Sequence, residues 1–223
     1  MEIKIEKIIY TNRKTISLHI TDNATLIIKA PFDASNETIM KVVFNHINWI
    51  NKKTNEIRKR DPKFVTREFV SGEGFLFLGR YYKLNIVDEQ DEPLKFEKYF
   101  YLSRKELSRA KEIFIDWYKK VAKEKITERV QRYAQISGLK YNSINITDAQ
   151  KRWGSCSHNG NLNFSWRLIM APLSVIDYVV VHELAHIEIK NHSKAFWNKV
   201  KVLMPDYEKH KEWLAKNNYL LKL

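Results

Sequence analysis

Cysteine is almost absent from this chain of 223 residues, since Cys156 is the single example. A lone thiol cannot form a disulfide within the chain, which excludes the disulfide-rich scaffolds of small secreted proteins. Long apolar runs are also lacking, because no stretch approaches the roughly eighteen apolar residues of a membrane-spanning helix. The first residues, 1–7, contain no apolar signal core. We therefore predict a cytoplasmic protein with no membrane partner.

Internal repeats and low-complexity tracts are lacking too, so repeat architectures receive no support. Hydrophobic residues make up 44% of the sequence, which is enough for a real core in one medium domain or two small ones. The composition of the elements suggests a division into a β-rich N-terminal region with one helix, residues 1–103, and a second region, residues 104–223.

Strand patterns dominate the first region. Alternating apolar residues before and after a turn at Asp22-Asn23 predict a small antiparallel meander, and Ser35 is suited to cap one helix. Pro62 separates this part from a β-hairpin predicted around Gly79-Arg80. A further strand pair is expected between residues 94 and 101.

A long helix is predicted to follow, from the capping box Ser103–Glu106 to about Ser137, with Gly138 closing it. Two short strands, 143–147 and 161–166, come next. The apolar helix after Pro172 is predicted to begin with a second box, from Ser174 to Asp177.

The net charge is +13, and its distribution is uneven. Residues 104–167 contain 14 Lys and Arg against 6 Asp and Glu, whereas residues 1–103 contain 17 against 14 and residues 168–223 contain 8 against 6. A basic face on a structured segment is typical of proteins that bind nucleic acid. The alternative is a soluble protein that is simply basic, and the composition leaves both open.

The motif with the most chemical content is His182-Glu183-Leu184-Ala185-His186. Residues four apart lie on one face of a helix, so both imidazoles can bind one metal ion. This H-E-x-x-H spacing is typical of zinc hydrolases, in which the glutamate deprotonates a water at the metal. We predict His182 and His186 as zinc ligands and Glu183 as the general base.

A catalytic zinc ion usually has three protein ligands, and His192 is the candidate for the third. It follows the predicted end of the helix, where a turn could bring it back toward the first two histidines. The alternative is a chance spacing on a surface helix. The apolar residues around the motif disfavour chance, because buried histidines need polar partners and a metal would supply them.

The loop before the last short strand, Trp153 to Ser157, allows two interpretations. It could line the site, with Arg152, Ser155 or Cys156 contacting the substrate, or it could be structural, with Trp153 packed and Gly154 in a tight turn. Cys156 could be a fourth ligand that silences the enzyme or a small buried thiol. Residues 161–166 are our candidate for a strand that offers its free edge to an extended peptide substrate.

Three motifs together resemble the YgjP-like metallopeptidase domain, a zincin family. They are Arg152–Ser157, Asp177–His186, and Asn191-His192-Ser193 followed by Phe196-Trp197. The resemblance implies an α+β fold with a zincin-like catalytic region over residues 104–223, which has long helices and a small antiparallel sheet. It also implies zinc held by His182, His186 and His192 and general-base catalysis by Glu183. Similar motifs occur in SprT-like proteases that act on proteins crosslinked to DNA.

The sequence therefore predicts a zinc-dependent metallopeptidase that cleaves peptides or proteins, with nucleic acid as a possible partner through residues 104–167. The rival hypothesis is a nucleic-acid-binding protein in which the same histidines hold a structural zinc ion. A closed structural site normally has four ligands and favours cysteine, which makes the rival the weaker reading.

Overall fold

The computed structural model describes residues 5–21, 24–58 and 67–223, and the chain forms two compact units, residues 1–65 and 66–223. The turn expected at Asp22-Asn23 and the separating Pro62 lie outside the described residues. The two units are described in turn below.

The first unit combines three strands and two helices: β1 (Ile5–Thr11), β2 (Ser17–Ile20), β3 (Leu26–Pro31), α1 (Asn36–Asn45) and α2 (Ile47–Arg58). The order in the sheet is β1-β3-β2, with β1 parallel and β2 antiparallel to β3. The predicted antiparallel pairing is confirmed for β2 and β3, whereas β1 does not continue the meander and pairs in parallel with β3. The central place goes to β3 because its alternate residues Leu26, Ile28 and Ala30 are fully buried, whereas β2 is short and only half-buried. Ser35 caps α1 as expected, by accepting from the Thr38 amide.

The second unit begins with a four-stranded sheet of order β4-β5-β7-β6. Its strands are β4 (Gly74–Phe77), β5 (Arg80–Val87), β6 (Leu94–Phe96) and β7 (Phe100–Ser103). Leu78 and Gly79 form the two-residue turn between β4 and β5, and both have positive φ angles, 47° and 79°. A tight hairpin turn with two positive φ angles matches the twist of the strands. The predicted hairpin is confirmed, one residue earlier than expected.

The long helix α3 (Ala110–Ser137) packs its aromatic residues against this sheet. Phe114 stacks on Phe75 with ring centroids 4.3 Å apart, and the Tyr118 hydroxyl donates to the Leu76 carbonyl at 2.8 Å. Sheet and helix therefore share one core, which explains why the division of the chain falls after residue 65 and differs from the expected boundary after residue 103.

Both ends of α3 follow from local sequence. Gly138 ends the helix in the left-handed conformation, with a φ of 70°, as expected. The start is later than the capping box suggests, because residues Arg104–Arg109 form a 3-10 helix and Ser103 makes no capping hydrogen bond. Ser103 instead belongs to β7 and is buried there.

The rest of the second unit consists of a three-stranded sheet and three helices. They are β8 (Ser143–Thr147), β9 (Gly154–Cys156), β10 (Asn161–Ser165), α4 (Leu173–Glu188), α5 (Lys194–Leu203) and α6 (Tyr207–Asn217). The order is β8-β10-β9, with β8 parallel and β9 antiparallel to β10. The α+β class is confirmed, but this sheet is mixed and not antiparallel throughout. None of the helices in the described ranges combines the length and apolar composition needed to cross a membrane.

Candidate metal centre

The helix α4 presents His182 and His186 from an almost wholly buried setting. Ten of its residues are buried, including the run from Val175 to Val181. Asp177 lies within this buried run, and its carboxylate accepts two hydrogen bonds from Arg129 of α3, at 2.5 and 2.8 Å. Asp177 therefore ties α4 to α3. The expected capping role at the start of α4 is wrong, because Pro172 stands at the cap position and no side chain caps the helix.

His192 returns to the two helical histidines on a short loop. The loop follows the last residue of α4, Glu188, and ends at Ser193, where α5 begins. The Nε2 atom of His192 lies 3.0 Å from Nε2 of His182 and 3.2 Å from Nε2 of His186. Among the described residues, these three form the group of His, Cys, Asp or Glu side chains that could hold a metal ion, and their ligand atoms lie within 4.8 Å of one another.

The spacing of the three nitrogens fits a single ion. Zinc lies about 2.0–2.1 Å from imidazole nitrogen, which separates tetrahedral ligands by about 3.3–3.4 Å. An unprotonated Nε2 of His192, 3.0 and 3.2 Å from the other two Nε2 atoms, would be repelled through their lone pairs, and a shared cation would remove that repulsion. The donor set is also chemically suitable, because imidazole binds zinc well.

Two of the ring orientations have distinct causes. Nδ1 of His186 donates to the Ile189 carbonyl at 2.9 Å, so the proton stays on Nδ1 and Nε2 is free to bind a metal. Nδ1 of His182 is buried without a hydrogen-bond partner among the described residues. The orientation of the His182 ring is therefore fixed by packing. It contacts the rings of Phe196 and Tyr178 at centroid distances of 4.9 and 5.9 Å.

Burial also sets the protonation of these histidines. It lowers the pKa of His182 to about 3, with further lowering by the charges of His186 and His192. Burial lowers the pKa of His186 as well, although the hydrogen bond to Ile189 opposes the shift. Metal binding requires neutral imidazole, so this environment favours the binding form of both side chains near neutral pH.

An aromatic stack stands behind His192. The His192 ring lies nearly parallel to the Trp197 indole at 5.7 Å, the indole stacks on Tyr207 at 5.3 Å, and Tyr207 stacks on Tyr178 at 6.4 Å. His192 is exposed and lies on a loop. Its contact with Trp197 therefore restricts the position of the imidazole ring, which the loop backbone alone does not fix. Tyr178 and Tyr207 are members of this stack. Burial, with the nearby charge of Glu183, raises the pKa of Tyr178 to about 12.

Glu183 is buried beside the three histidines, with 5% of its surface exposed. Burial raises the pKa of its carboxyl group to about 8, and the nearby charge of Arg152 opposes that rise. The side chain lies directly against Gly154 of β9, where an added Cβ would come within 2.6 Å of Glu183 Cγ and Oε1. Gly154 lies within strand β9, and a larger residue there would collide with the side chain of Glu183. The glycine is therefore needed for this close contact and not for the tight turn suggested from the sequence.

The edge strand beside the site is β9, which differs from the expected strand 161–166. Since β10 lies between β8 and β9, both of its edges are already paired. Main-chain hydrogen bonds join Trp153 to Ser165 and Ser157 to Asn161, each at 2.9 Å. The alternation of an antiparallel ladder then directs the amide and carbonyl groups of Gly154 and Cys156 toward the free edge.

Cys156 does not join the histidines. Its Sγ contacts the Ser157 carbonyl at 3.4 Å, and burial raises the pKa of the thiol, which disfavours the thiolate that metal binding needs. The proposed role as a fourth ligand therefore finds no support in this geometry.

Sequence reasoning missed the contact of Gly154 with Glu183 and the stacking of Trp197 on His192. The only available signal was that Gly154 and Trp197 lie close to or within the sequence motifs that carry the family resemblance.

Comparisons with known proteins complete this description. The crystal structure of the metallopeptidase zymogen of Pyrococcus abyssi abylysin is similar to part of the chain, with 18% identity, coverage of 41% of this chain and 93% of that one, and a TM-score of 0.38. Comparison with curated proteins finds no match. The family described as YgjP-like, metallopeptidase domain, matches residues 14–217, which confirms the resemblance drawn from the motifs. Because that match spans nearly the whole sequence, the chain belongs to the YgjP-like metallopeptidase family, a family of metal-dependent hydrolases.

Proposed function

We propose that this protein is a zinc-dependent peptidase in which His182, His186 and His192 hold the ion and Glu183 is the general base. The observation that carries the proposal is the convergence of three imidazole nitrogens beside a buried carboxyl group on the same helix. A zinc ion bound there would act as a Lewis acid toward the scissile carbonyl and would lower the pKa of a water molecule to about 7.

Glu183 carries out the proton transfers of this reaction. Its carboxylate accepts a proton from the attacking water and then donates it to the amine of the departing peptide. Burial raises the pKa of this group to about 8, which favours the protonated form reached after the first transfer. Arg152 acts in the opposite sense, and the charge of a bound zinc ion would do so too, which favours the ionised form that starts the cycle.

The substrate binds in an extended conformation along the free edge of β9. Main-chain groups of Gly154 and Cys156 are available for strand addition, which recognises a peptide backbone without regard to its sequence. Contact of Gly154 with Glu183 places the edge beside the general base. A peptide bond held there lies next to the groups that would cleave it.

The rival hypothesis, a structural zinc ion in a nucleic-acid-binding protein, is less consistent with the geometry. A closed structural site uses four protein ligands, whereas three histidines converge here and Cys156 lies apart from them. A buried glutamate in the base position has no purpose in a structural site. These observations favour hydrolysis.

Association with nucleic acid stays a prediction from charge alone. Of the basic side chains on α3, Arg129 is buried against Asp177, Lys119 and Lys125 pair with neighbouring carboxylates, and Lys123 donates to the Ile144 carbonyl. The remaining basic side chains of α3 do not share one face. Lys111 and Lys120 are nine residues apart and therefore point to opposite sides of the helix. Binding to generic DNA that is absent at low salt would refute the prediction. The cytoplasmic location also stays a prediction.

The decisive experiment pairs zinc content with cleavage of an unfolded protein substrate. We expect about one zinc ion in both the unchanged protein and Glu183→Gln, and cleavage by the unchanged protein only. His192→Ala should lose zinc, while His158→Ala, an exposed histidine outside the cluster, should retain it. Zinc bound by both Glu183 forms without cleavage by either would refute the peptidase, and equal zinc in both histidine variants would remove His192 from the site.

A further inference from the structure

Three cations surround the metal centre. Arg152 immediately precedes the Trp153-Gly154 pair, and Gly154 contacts Glu183. The ammonium group of Lys190 lies 3.4 Å from the Ser157 carbonyl, at the other end of β9. Lys211 of α6 holds its ammonium group 4.0 Å from the centroid of the Trp197 ring, whose neighbour is His192. Both ends of the edge strand and the aromatic stack therefore carry positive charge.

These charges are not neutralised by the protein. All three side chains are exposed, and none forms an ion pair with a carboxylate of the described residues. Nearby carboxylates are occupied elsewhere: Glu188 pairs with Lys199 at 2.8 Å, and Glu212 pairs with Lys216 at 2.6 Å. Asp206 lies 3.4 Å from His210, and Glu208 accepts from the Tyr207 hydroxyl; neither forms an ion pair with Lys211. Glu183, the carboxyl group that contacts Gly154, is buried. Three unpaired cations therefore make the approach to the site positive.

We infer that Arg152, Lys190 and Lys211 select peptide substrates with acidic side chains close to the scissile bond, an inference that rests on the proposed peptidase function. The segment from Arg152 to Ser157 extends about 17 Å, a length that an extended peptide covers with about five residues. Acidic residues within about two positions on either side of the bond can therefore reach a cation at each end of β9. A positive approach also raises the local concentration of acidic peptides.

Nucleic acid is the other polyanion that such cations could attract, but the aromatic ring that Lys211 contacts is already stacked. This ring, Trp197, packs on His192 and on Tyr207, with Lys211 above it. Binding of single strands normally relies on exposed aromatic faces. The free edge of β9 is instead suited to an extended peptide backbone.

Peptide binding to the zinc-loaded Glu183→Gln variant tests the inference independently of cleavage. Two fluorescein-labelled peptides are compared by anisotropy, one with Asp and Glu around a central bond and one with Asn and Gln in their place. We expect the acidic peptide to bind about threefold to tenfold more tightly at low salt, with the difference shrinking as salt rises. Lys190→Glu and Lys211→Glu should each reduce that preference. Lys111→Glu, the same charge change on α3, should leave it unchanged.

Equal affinity for the two peptides, or no measurable binding of either, would overturn the inference. So would tighter binding of a single-stranded oligonucleotide of equal charge together with loss of peptide preference, because the cations would then serve phosphate groups. Cleavage assays on the unchanged protein report separately on the proposed function. Cleavage without acidic preference removes only the selectivity, whereas acidic preference without cleavage removes only the peptidase.

Discussion

Trp197 helps to fix the orientation of the His192 ring. The imidazole is exposed on a loop, and outside the other two histidines it contacts the indole in a nearly parallel arrangement and the Phe196 ring edge-on. Residues that orient a metal ligand typically change metal affinity by about tenfold to a hundredfold when removed. The same reasoning makes the stacked Tyr207 a second support of the same ligand.

We expect Trp197→Ala to weaken zinc affinity by about tenfold, because His192 loses its stacking partner. Trp197→Phe should restore most of the affinity, since a phenyl ring still offers a parallel face. Trp213→Ala, a change of the same size on α6, should lower stability without weakening zinc binding. Competition with a zinc-sensitive dye measures all three, and equal affinities in the alanine variants would contradict the role of Trp197.

Gly154 gives a sharper prediction, because its added Cβ would lie 2.6 Å from Glu183 Cγ and Oε1. Gly154→Ala should therefore displace the carboxyl group and reduce kcat by at least about tenfold, while zinc content stays at the level of the unchanged protein. Gly74→Ala is the matched control, since its Cβ would meet Tyr81 at an ordinary 3.4 Å. Full activity of Gly154→Ala would show that Glu183 is not held where it acts.

At the scale of the element, the sequence predicted helix α4 well but not its contacts with other elements. The spacing of His182 and His186, together with the apolar residues around them, indicated a buried helix that presents two imidazoles, and α4 is such a helix. Periodicity could not reveal that Asp177 pairs with Arg129, because residues 48 positions apart meet only after the chain folds. Arg129 was accordingly counted with the basic face, although it is buried.

Removing Asp177 should destabilise the packing of α4 on α3. Asp177→Ala leaves the buried guanidinium of Arg129 with only the exposed carboxylate of Glu128, 3.7 Å away, and we expect the free energy of unfolding to fall by about 3 kcal/mol. Replacing both residues, with Arg129→Met and Asp177→Leu, should recover most of that loss. Asp116→Ala breaks the exposed pair with Lys119 and should cost less than about 1 kcal/mol. Urea denaturation measures all three, and a small loss for Asp177→Ala would mean that the pair adds little to stability.

For the whole molecule, the sequence predicted the α+β class but not the division of the chain. Strand patterns in residues 67–103 look like those of residues 5–31, so the sequence alone groups them together. The division of the chain depends on what the apolar face of each sheet packs against. In the second sheet, Phe75 and Phe100 pack against Phe114 of α3. The core of the first unit, which includes Ile28, Ile39 and Ile50, is a separate cluster.

The two boundaries predict different behaviour of fragments. Residues 66–223 contain the second unit with its core and all four predicted site residues, so this fragment should fold cooperatively and bind about one zinc ion. Residues 104–223 lack β4 to β7, which exposes Phe114, Trp117 and Tyr118 on α3 to water. Burial of one aromatic side chain contributes about 1.5–3 kcal/mol, so the loss of three such contacts exceeds much of the stability of a small domain. We expect the shorter fragment to aggregate or to lack a cooperative thermal transition, as measured by circular dichroism and zinc content. Cooperative unfolding and zinc binding by residues 104–223 would instead place the boundary after residue 103, because the second sheet would then be dispensable for the core that positions the site.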